Sequence, residues 1–107
     1  DAVHVQTTLC ELSARSIAKA IDEHAANTEE VFVCGGGAHN PELMRRLKRA
    51  IPDIRLSTTS SVGLNPDWVE AVAFAWLAMR TMKSLTGNLP SVTGGTQQVV
   101  LGDIHSP

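Results

Sequence analysis

The stretch from Val31 to Met44, VFVCGGGAHNPELM, decides the fold of this chain. Glu30 to Cys34 is rich in strand-forming residues and leads directly into three consecutive glycines. Asn40 then suits a helix N-cap, and Pro41 suits a first helical turn, where its missing N–H costs nothing. The glycines therefore join a strand to a helix. They either form only a tight turn or also allow a ligand to lie against bare backbone.

The segments on both sides of this junction predict an α/β fold. A second strand is expected from Ile54 to Thr58, and a strand–helix–strand order forms a βαβ unit with parallel strands. Apolar periodicity also predicts a helix from Val5 to about Ala25 and another from Asn65 to about Lys83. A last short strand is expected at Val99–Ile104.

The helix predicted after Asn65 is apolar round most of its girth. Its apolar residues include Val69, Val72, Phe74, Trp76, Leu77, Met79 and Met82. Such a helix is expected to be buried on more than one side, yet a small three-stranded sheet offers it few partners. The chain also starts at Asp1 without a Met. We therefore expect part of a longer protein, whose fold here is incomplete as a domain.

The composition argues against several classes of function. The 107 residues are 43% hydrophobic and 19% charged, with a net charge of −2. This is a globular balance without the basic cluster that a nucleic-acid or anionic-membrane surface would need. The longest uncharged apolar run, Ala71–Met79, is far shorter than the roughly 20 residues of a bilayer span. Cys10 and Cys34 are expected to be small core residues rather than a disulfide or metal ligands.

The glycine loop does not match two known phosphate-binding motifs. A P-loop needs Lys followed by Ser or Thr at the helix start, where this chain has His39, Asn40 and Pro41. The dinucleotide fingerprint needs a third glycine at position 40 and an acidic residue near Thr58–Ser60, and both are missing. Gly35–Gly37 with Asn40 still has the parts of a nucleotide-contacting loop, because glycines allow close approach and a helix N-terminus favours polar ligands.

Three polar residues lie near the predicted helix starts. His39 has no evident partner and is interpreted as a surface residue. Asp67 and Glu70 lie in the first turn of the third helix, where acids favour the helix dipole. Glu70 has a second interpretation, as a carboxylate that projects into a cleft and binds a sugar hydroxyl or acts as an acid or base.

Three segments together resemble the anhydro-N-acetylmuramic acid kinases, which are bacterial sugar kinases of the hexokinase–Hsp70–actin superfamily. They are VCGGGAHNPELM, GLNPDWVEAVAFAWLA and GNLPSVTGG. The glycine motif is common in the superfamily, whereas Asp67–Ala71 and Gly87–Gly94 are more specific to the family. The resemblance covers essentially the whole chain and implies the C-terminal part of such an enzyme.

This resemblance implies a fold, a reaction and partners. Residues 1–107 would be a nucleotide-side lobe fragment, part of the C-terminal lobe of an actin-like ATPase fold. The whole enzyme would use ATP and Mg²⁺, bound mainly with the missing lobe, to open the 1,6-anhydro ring of its sugar with water and phosphorylate O6. It would act in cytoplasmic cell-wall recycling. The partners implied are the sugar, ATP and the missing N-terminal lobe, with a homodimer as a further option.

The resemblance also implies the roles of site residues. The loop that lies against adenosine would comprise Gly35, Gly36, Gly37, Ala38 and Asn40. The catalytic aspartate would belong to the missing part, and no metal ligand is expected in this chain. The isolated chain is therefore predicted to be inactive, since phosphoryl transfer needs groups on both sides of the phosphate.

Glu70 would orient the sugar or the attacking water, while Trp68 would either wall the sugar site or belong to the core. Two alternatives to this function stay open. One is a related ATPase or sugar kinase with another substrate. The other is a non-catalytic module that docks through its apolar third helix and last strand.

Overall fold

The computed structural model describes residues 1–105, which form two compact units, Asp1–Val69 and a second unit that begins at Glu70. The α-helices are α1 (Ala2–His24), α2 (Pro41–Ala50), α3 (Val69–Met82) and the short α4 (Pro90–Thr93). The strands are β1 (Glu30–Val33) and β2 (Arg55–Thr58), and 3₁₀ turns occur at Gly36–His39, Thr59–Val62 and Pro66–Trp68.

The first unit contains the predicted βαβ unit, formed by β1, α2 and β2. β1 and β2 are parallel, with Glu30 opposite Arg55 and Val33 opposite Thr58. α2 connects them, which confirms the strand–helix–strand prediction. Because the strands are parallel and in register, the segments that follow Val33 and Thr58 leave the sheet at the same edge.

α1 packs against α2 in the first unit through a small apolar core and a charged network. The buried residues are Ala14 of α1, Leu47 of α2 and Ile51, which follows α2 directly. Leu47 is only 2% exposed. Beside them, Glu11 of α1 accepts a hydrogen bond from Arg46 of α2 over 2.5 Å. The helices are thus joined by an ion pair between partly buried side chains as well as by apolar contact.

The charged network lowers the pKa of two of its carboxyl groups. Hydrogen bonds from Arg45 and Arg46 hold the pKa of Glu42 at about 2. Hydrogen bonds from Arg15 and Arg46 lower the pKa of Glu11 below its usual value. The folded state therefore binds fewer protons at these sites than the unfolded state does in mildly acidic solution.

We expect this network to make folding stability fall with acidification. Lowered carboxyl pKa values stabilise the fold above the unfolded-state value of 4.5, and that contribution is lost as pH falls from 4.5 towards about 2. Thermal unfolding followed by circular dichroism across this range should show the loss, and Glu42→Gln should flatten it. Glu23→Gln is the matched control, since Glu23 pairs only with Lys19 of its own helix among residues 1–105. Equal pH profiles for the two variants would contradict the assignment.

The second unit consists of α3 and a segment that folds back on it. The Arg80 guanidinium donates to the Thr86 carbonyl and lies 5.2 Å from the centre of the Trp76 ring. Thr81 donates its hydroxyl hydrogen bond to the Leu101 carbonyl, which holds the returning chain against α3. Gly87 allows this close approach, since a Cβ there would lie 3.2 Å from Leu101.

The predicted third strand is wrong. Val99–Ile104 forms no strand in the described part of the chain. One backbone hydrogen bond, from Gly87 N–H to the Val99 carbonyl, takes the place of a ladder. The Asn88 side chain satisfies neighbouring groups instead, accepting from Val99 N–H at 2.7 Å and donating to the Gln97 carbonyl at 2.9 Å. Side-chain bonds of this kind compete with strand pairing.

Two predictions of burial are also wrong for the described residues. No residue of α3 is buried, and Phe74 is 63% exposed, because residues 1–105 do not supply the partners that such an apolar helix needs. Cys34 is exposed rather than part of a core, since it lies where β1 ends and the chain leaves the sheet.

No helix among the described residues combines the length and apolar character needed to cross a membrane.

Candidate functional site: the glycine loop and its surroundings

The glycine loop, Gly35–Asn40, begins at the carboxyl end of β1. Gly35 has φ 70° and ψ −171°, a conformation that essentially only glycine adopts. Its N–H donates to the carbonyl of Pro66 over 2.9 Å, which fixes the start of the loop to a neighbouring segment of the first unit. Gly35 is therefore required for the turn itself.

The other two glycines have different surroundings. A Cβ on Gly37 would rest 3.4 Å from the Leu43 side chain, so Gly37 lies close to the helix that follows. A Cβ on Gly36 would meet no atom of residues 1–105 within 4 Å, and the φ of Gly36 is not positive. Neither backbone conformation nor packing within the described residues requires a glycine at position 36. Its backbone is open to an approaching group.

The loop ends in a capped helix start. Ala38 N–H donates to the Gly35 carbonyl at 3.0 Å within the 3₁₀ turn. Asn40 caps α2 as predicted, because its Oδ1 accepts from the N–H groups of Glu42 and Leu43, each at 3.1 Å. These first amides of α2 are thus already satisfied by a side chain.

A contact that the sequence did not predict joins the loop to the turn before α3. Nε2 of His39 lies 2.7 Å from Oδ1 of Asp67, so the residue interpreted as an unpartnered surface histidine has a carboxylate partner. Both residues adjoin an Asn-Pro helix start, His39 before Asn40-Pro41 and Asp67 after Asn65-Pro66. That shared motif was the available signal, but it gave no distance between positions 28 residues apart.

A second loop leaves the sheet at the same edge as the glycine loop. Thr59 starts the 3₁₀ turn that follows β2, and the register places Val33 and Thr58, the last residues of the two strands, side by side. The Thr59 hydroxyl oxygen is buried and has no hydrogen-bond partner among residues 1–105. Ligands of open α/β sheets bind outside the carboxyl ends of the strands, so this edge is the expected binding edge.

Next to the end of the glycine loop lies an open groove of about 450 Å³. It is lined by Gln6, Leu9, Cys10, Ser13, Asn40 and Leu43. Its volume falls within the roughly 300–1,000 Å³ of small-molecule sites. The groove mixes apolar and polar side chains from α1 and from the start of α2, and it adjoins the loop at Asn40.

The structure places Glu70 in the first turn of α3, where it is exposed and takes part in no salt bridge among the described residues. Trp68 is 65% exposed, so nothing within the first unit buries it as a core residue. No group of three or more His, Cys, Asp or Glu side chains within residues 1–105 is arranged to hold a metal ion.

Comparison with known proteins identifies the family. The family model described as anhydro-N-acetylmuramic acid kinase matches residues 1–107. Proteins named anhydro-N-acetylmuramic acid kinase from Thiobacillus denitrificans and Shewanella sediminis are 50% and 52% identical to the chain over 101 residues, which are 94% of the chain. One from Coxiella burnetii is 46% identical over 105 residues, or 98% of the chain.

The matched region is a small part of each relative. The chain spans 27% of the length of the Thiobacillus and Shewanella proteins and 28% of the Coxiella protein. Its α/β arrangement, with one parallel strand pair and flanking helices, agrees with part of an actin-like ATPase fold. The match over its whole length shows that the chain belongs to the anhydro-N-acetylmuramic acid kinase family.

Proposed function

We propose that this chain is the nucleotide-side part of the C-terminal lobe of an ATP-dependent kinase acting on 1,6-anhydro-N-acetylmuramic acid. In the overall reaction, water adds to C1 of the sugar and the bond from C1 to O6 breaks. The water gives up one proton to the catalytic base, and O6 bonds to the γ-phosphorus of ATP as the bond from that phosphorus to the β–γ bridging oxygen breaks. The products are N-acetylmuramate 6-phosphate and ADP, and we propose that the reaction belongs to cell-wall recycling in the cytoplasm.

The observation that carries the nucleotide proposal is the open backbone of Gly36. Gly35 is explained by its φ of 70°, and Gly37 lies against Leu43, but neither reason applies to Gly36. A glycine without a conformational or packing reason suits the close approach of another molecule to the main chain. Gly35, Gly36, Gly37 and Ala38 would form this face, and Asn40 would close it.

The helix start supports adenosine rather than phosphate as the group at this loop. Phosphate sites at helix N-termini use unsatisfied backbone N–H groups. Here the N–H groups of Glu42 and Leu43 already donate to Asn40. The chain also has no P-loop lysine at position 39, where it has His39. A nucleoside that packs flat on open backbone needs neither feature.

Glu70 is proposed to act on the sugar side. Its carboxylate would accept a hydrogen bond from a sugar hydroxyl or from the attacking water and so orient it. Phosphoryl transfer also requires a catalytic base and Mg²⁺, which one or two carboxylates and the phosphate oxygens hold. The proposal assigns both to the N-terminal lobe, so this chain alone is expected to be inactive.

The test is a hybrid kinase, in which this chain replaces the matching 101-residue segment of the Thiobacillus denitrificans relative. We expect the hybrid to release ADP from ATP only when 1,6-anhydro-N-acetylmuramic acid is present, and the isolated chain to release none. Unaltered relative is the positive control. A folded hybrid without sugar-dependent ADP release would contradict the proposed function.

A second candidate function is a non-catalytic docking module. The apolar residues of α3 favour it, because Phe74 is 63% exposed and Met82 is 77% exposed. These exposed side chains suit contact with the N-terminal lobe or with a second copy of the chain. The hybrid kinase distinguishes the two functions. If the chain is only a docking module, the hybrid should still assemble, and a substitution in the glycine loop such as Gly36→Leu should not change its affinity for ATP.

A further inference from the structure

Both ends of the glycine loop are tied to the same short segment of the first unit. At the start of the loop, Gly35 N–H donates to the Pro66 carbonyl over 2.9 Å. At the end of its 3₁₀ turn, His39 Nε2 lies 2.7 Å from Asp67 Oδ1. The open backbone at Gly36 therefore lies between two contacts to adjacent residues, Pro66 and Asp67.

The segment that receives these contacts is itself held in place. Pro66 is buried, and the Asn65 side chain accepts a hydrogen bond from the Asp67 N–H at 2.9 Å. The Asp67 backbone is thus fixed by a cap, which leaves its carboxylate to reach His39. A fixed carboxylate orients an imidazole through one ring nitrogen, as carboxylates do beside functional histidines.

From this geometry we propose that His39 and Asp67 form a positioning pair that holds the glycine loop in its nucleotide-binding shape. The inference rests on the proposed function, because it concerns the same ATP site. Neither residue is assigned a contact with the substrate. Asp67 acts through His39, and His39 acts through the backbone of the 3₁₀ turn Gly36–His39.

Because His39 and Asp67 are both exposed, their contact contributes little to the folding stability of the protein. The His39 and Asp67 side chains are 63% and 52% exposed, and exposed ion pairs contribute little to folding. A loop that is ordered before the ligand arrives loses less freedom on binding, and this gain appears in ligand affinity. Loss of the pair should therefore weaken ATP binding while the protein stays folded.

The experiment measures the KM for ATP and kcat of the hybrid kinase at saturating sugar, together with the Kd for ATP by calorimetry without sugar. We expect His39→Ala and Asp67→Ala each to raise KM and Kd by about fivefold, with kcat within about twofold of the unaltered hybrid. The double variant should be no weaker than either single variant, because both remove one contact. His39→Gln should restore most of the affinity, since a Gln amide can donate to Asp67.

Arg55→Ala is the matched control. Arg55 and Glu30 form another exposed ion pair, 2.5 Å apart, but at the amino ends of the two strands rather than the carboxyl ends. This variant should leave the affinity for ATP unchanged. An equal effect of Arg55→Ala would mean that loss of any exposed pair weakens binding, and the proposal would be wrong.

Three further outcomes would overturn the positioning pair. They are unchanged ATP affinity in both single variants, an effect of His39→Ala without one of Asp67→Ala, and additive effects in the double variant. Any of them, in a hybrid with normal sugar-dependent ADP release, would leave the proposed function intact. Loss of sugar dependence in the unaltered hybrid would instead contradict the proposed function, while the calorimetric Kd would still test the pair.

Discussion

Replacing Glu70 by Gln in the hybrid kinase should lower kcat by about 100-fold or more, with little change in the KM for ATP. Glutamine keeps the size of the side chain but removes the charge and puts an N–H donor in place of one carboxylate oxygen, so it no longer holds the sugar hydroxyl or the attacking water in the same way. A misplacement of reacting groups by about 1 Å can lower a rate by about 10²-fold. Initial rates of ADP release at saturating ATP and sugar measure the effect, and the reaction without sugar gives the background.

The alternative role of Glu70 as a helix-start acid predicts a different result. An acid in a first helical turn stabilises the helix by roughly 0.3–1 kcal/mol and has no direct effect on turnover. Glu42→Gln is the matched control, because Glu42 lies in the first turn of α2 after its own Asn-Pro start. We expect Glu42→Gln to lower the unfolding midpoint at neutral pH and to keep kcat. A decrease in kcat of less than about tenfold for Glu70→Gln would return Glu70 to the capping role.

The sequence predicted the parts of the fold whose signals are local. Asn40 caps α2 and Asn65 caps the turn before α3, in both cases because a short polar side chain precedes a proline that tolerates the first helical position. β1 and β2 pair in parallel because a crossover helix separates two short apolar runs. These features depend on neighbours within a few residues, which the sequence displays directly.

The sequence failed where structure depends on residues far apart along the chain. Val99–Ile104 has the composition of a strand, but the Asn88 side chain takes the hydrogen bonds that a ladder would use. α3 has the composition of a buried helix, but its partners are not among residues 1–105. The composition of a segment predicts which secondary structure it favours. Strand pairing and burial depend also on the residues that pack beside the segment.

In the candidate site, too, the local features were predicted from the sequence and the contacts between distant residues were not. The local sequence singled out the three glycines and the resemblance to the family added adenosine as their ligand, and the structure now gives a separate local reason for two of the three. The contact between His39 and Asp67 was missed, because each residue has an ordinary explanation when considered alone. Glu11 and Arg46 were missed for the same reason, being 35 residues apart on two helices.

Replacing Gly36 by Leu should raise the KM for ATP of the hybrid kinase by at least tenfold and leave the unfolding midpoint nearly unchanged. A Cβ added at Gly36 would meet no atom of residues 1–105 within 4 Å, so the described fold leaves room for a side chain to start there. The same side chain would fill the volume that the proposal gives to adenosine. Tenfold corresponds to about 1.4 kcal/mol of binding free energy, a modest loss for a blocked contact surface.

Gly35→Ala provides the contrast that makes the Gly36 result specific. At φ 70° and ψ −171° an alanine is strained by roughly 1–3 kcal/mol, so this variant should lower the unfolding midpoint clearly. Gly35→Ala would then lower mainly the stability, and Gly36→Leu would lower mainly the affinity for ATP. This difference is expected if Gly35 is needed for the turn and Gly36 for contact with the ligand. If Gly36→Leu binds ATP as well as the unaltered hybrid, the loop is only a strand-to-helix turn, and adenosine must bind elsewhere.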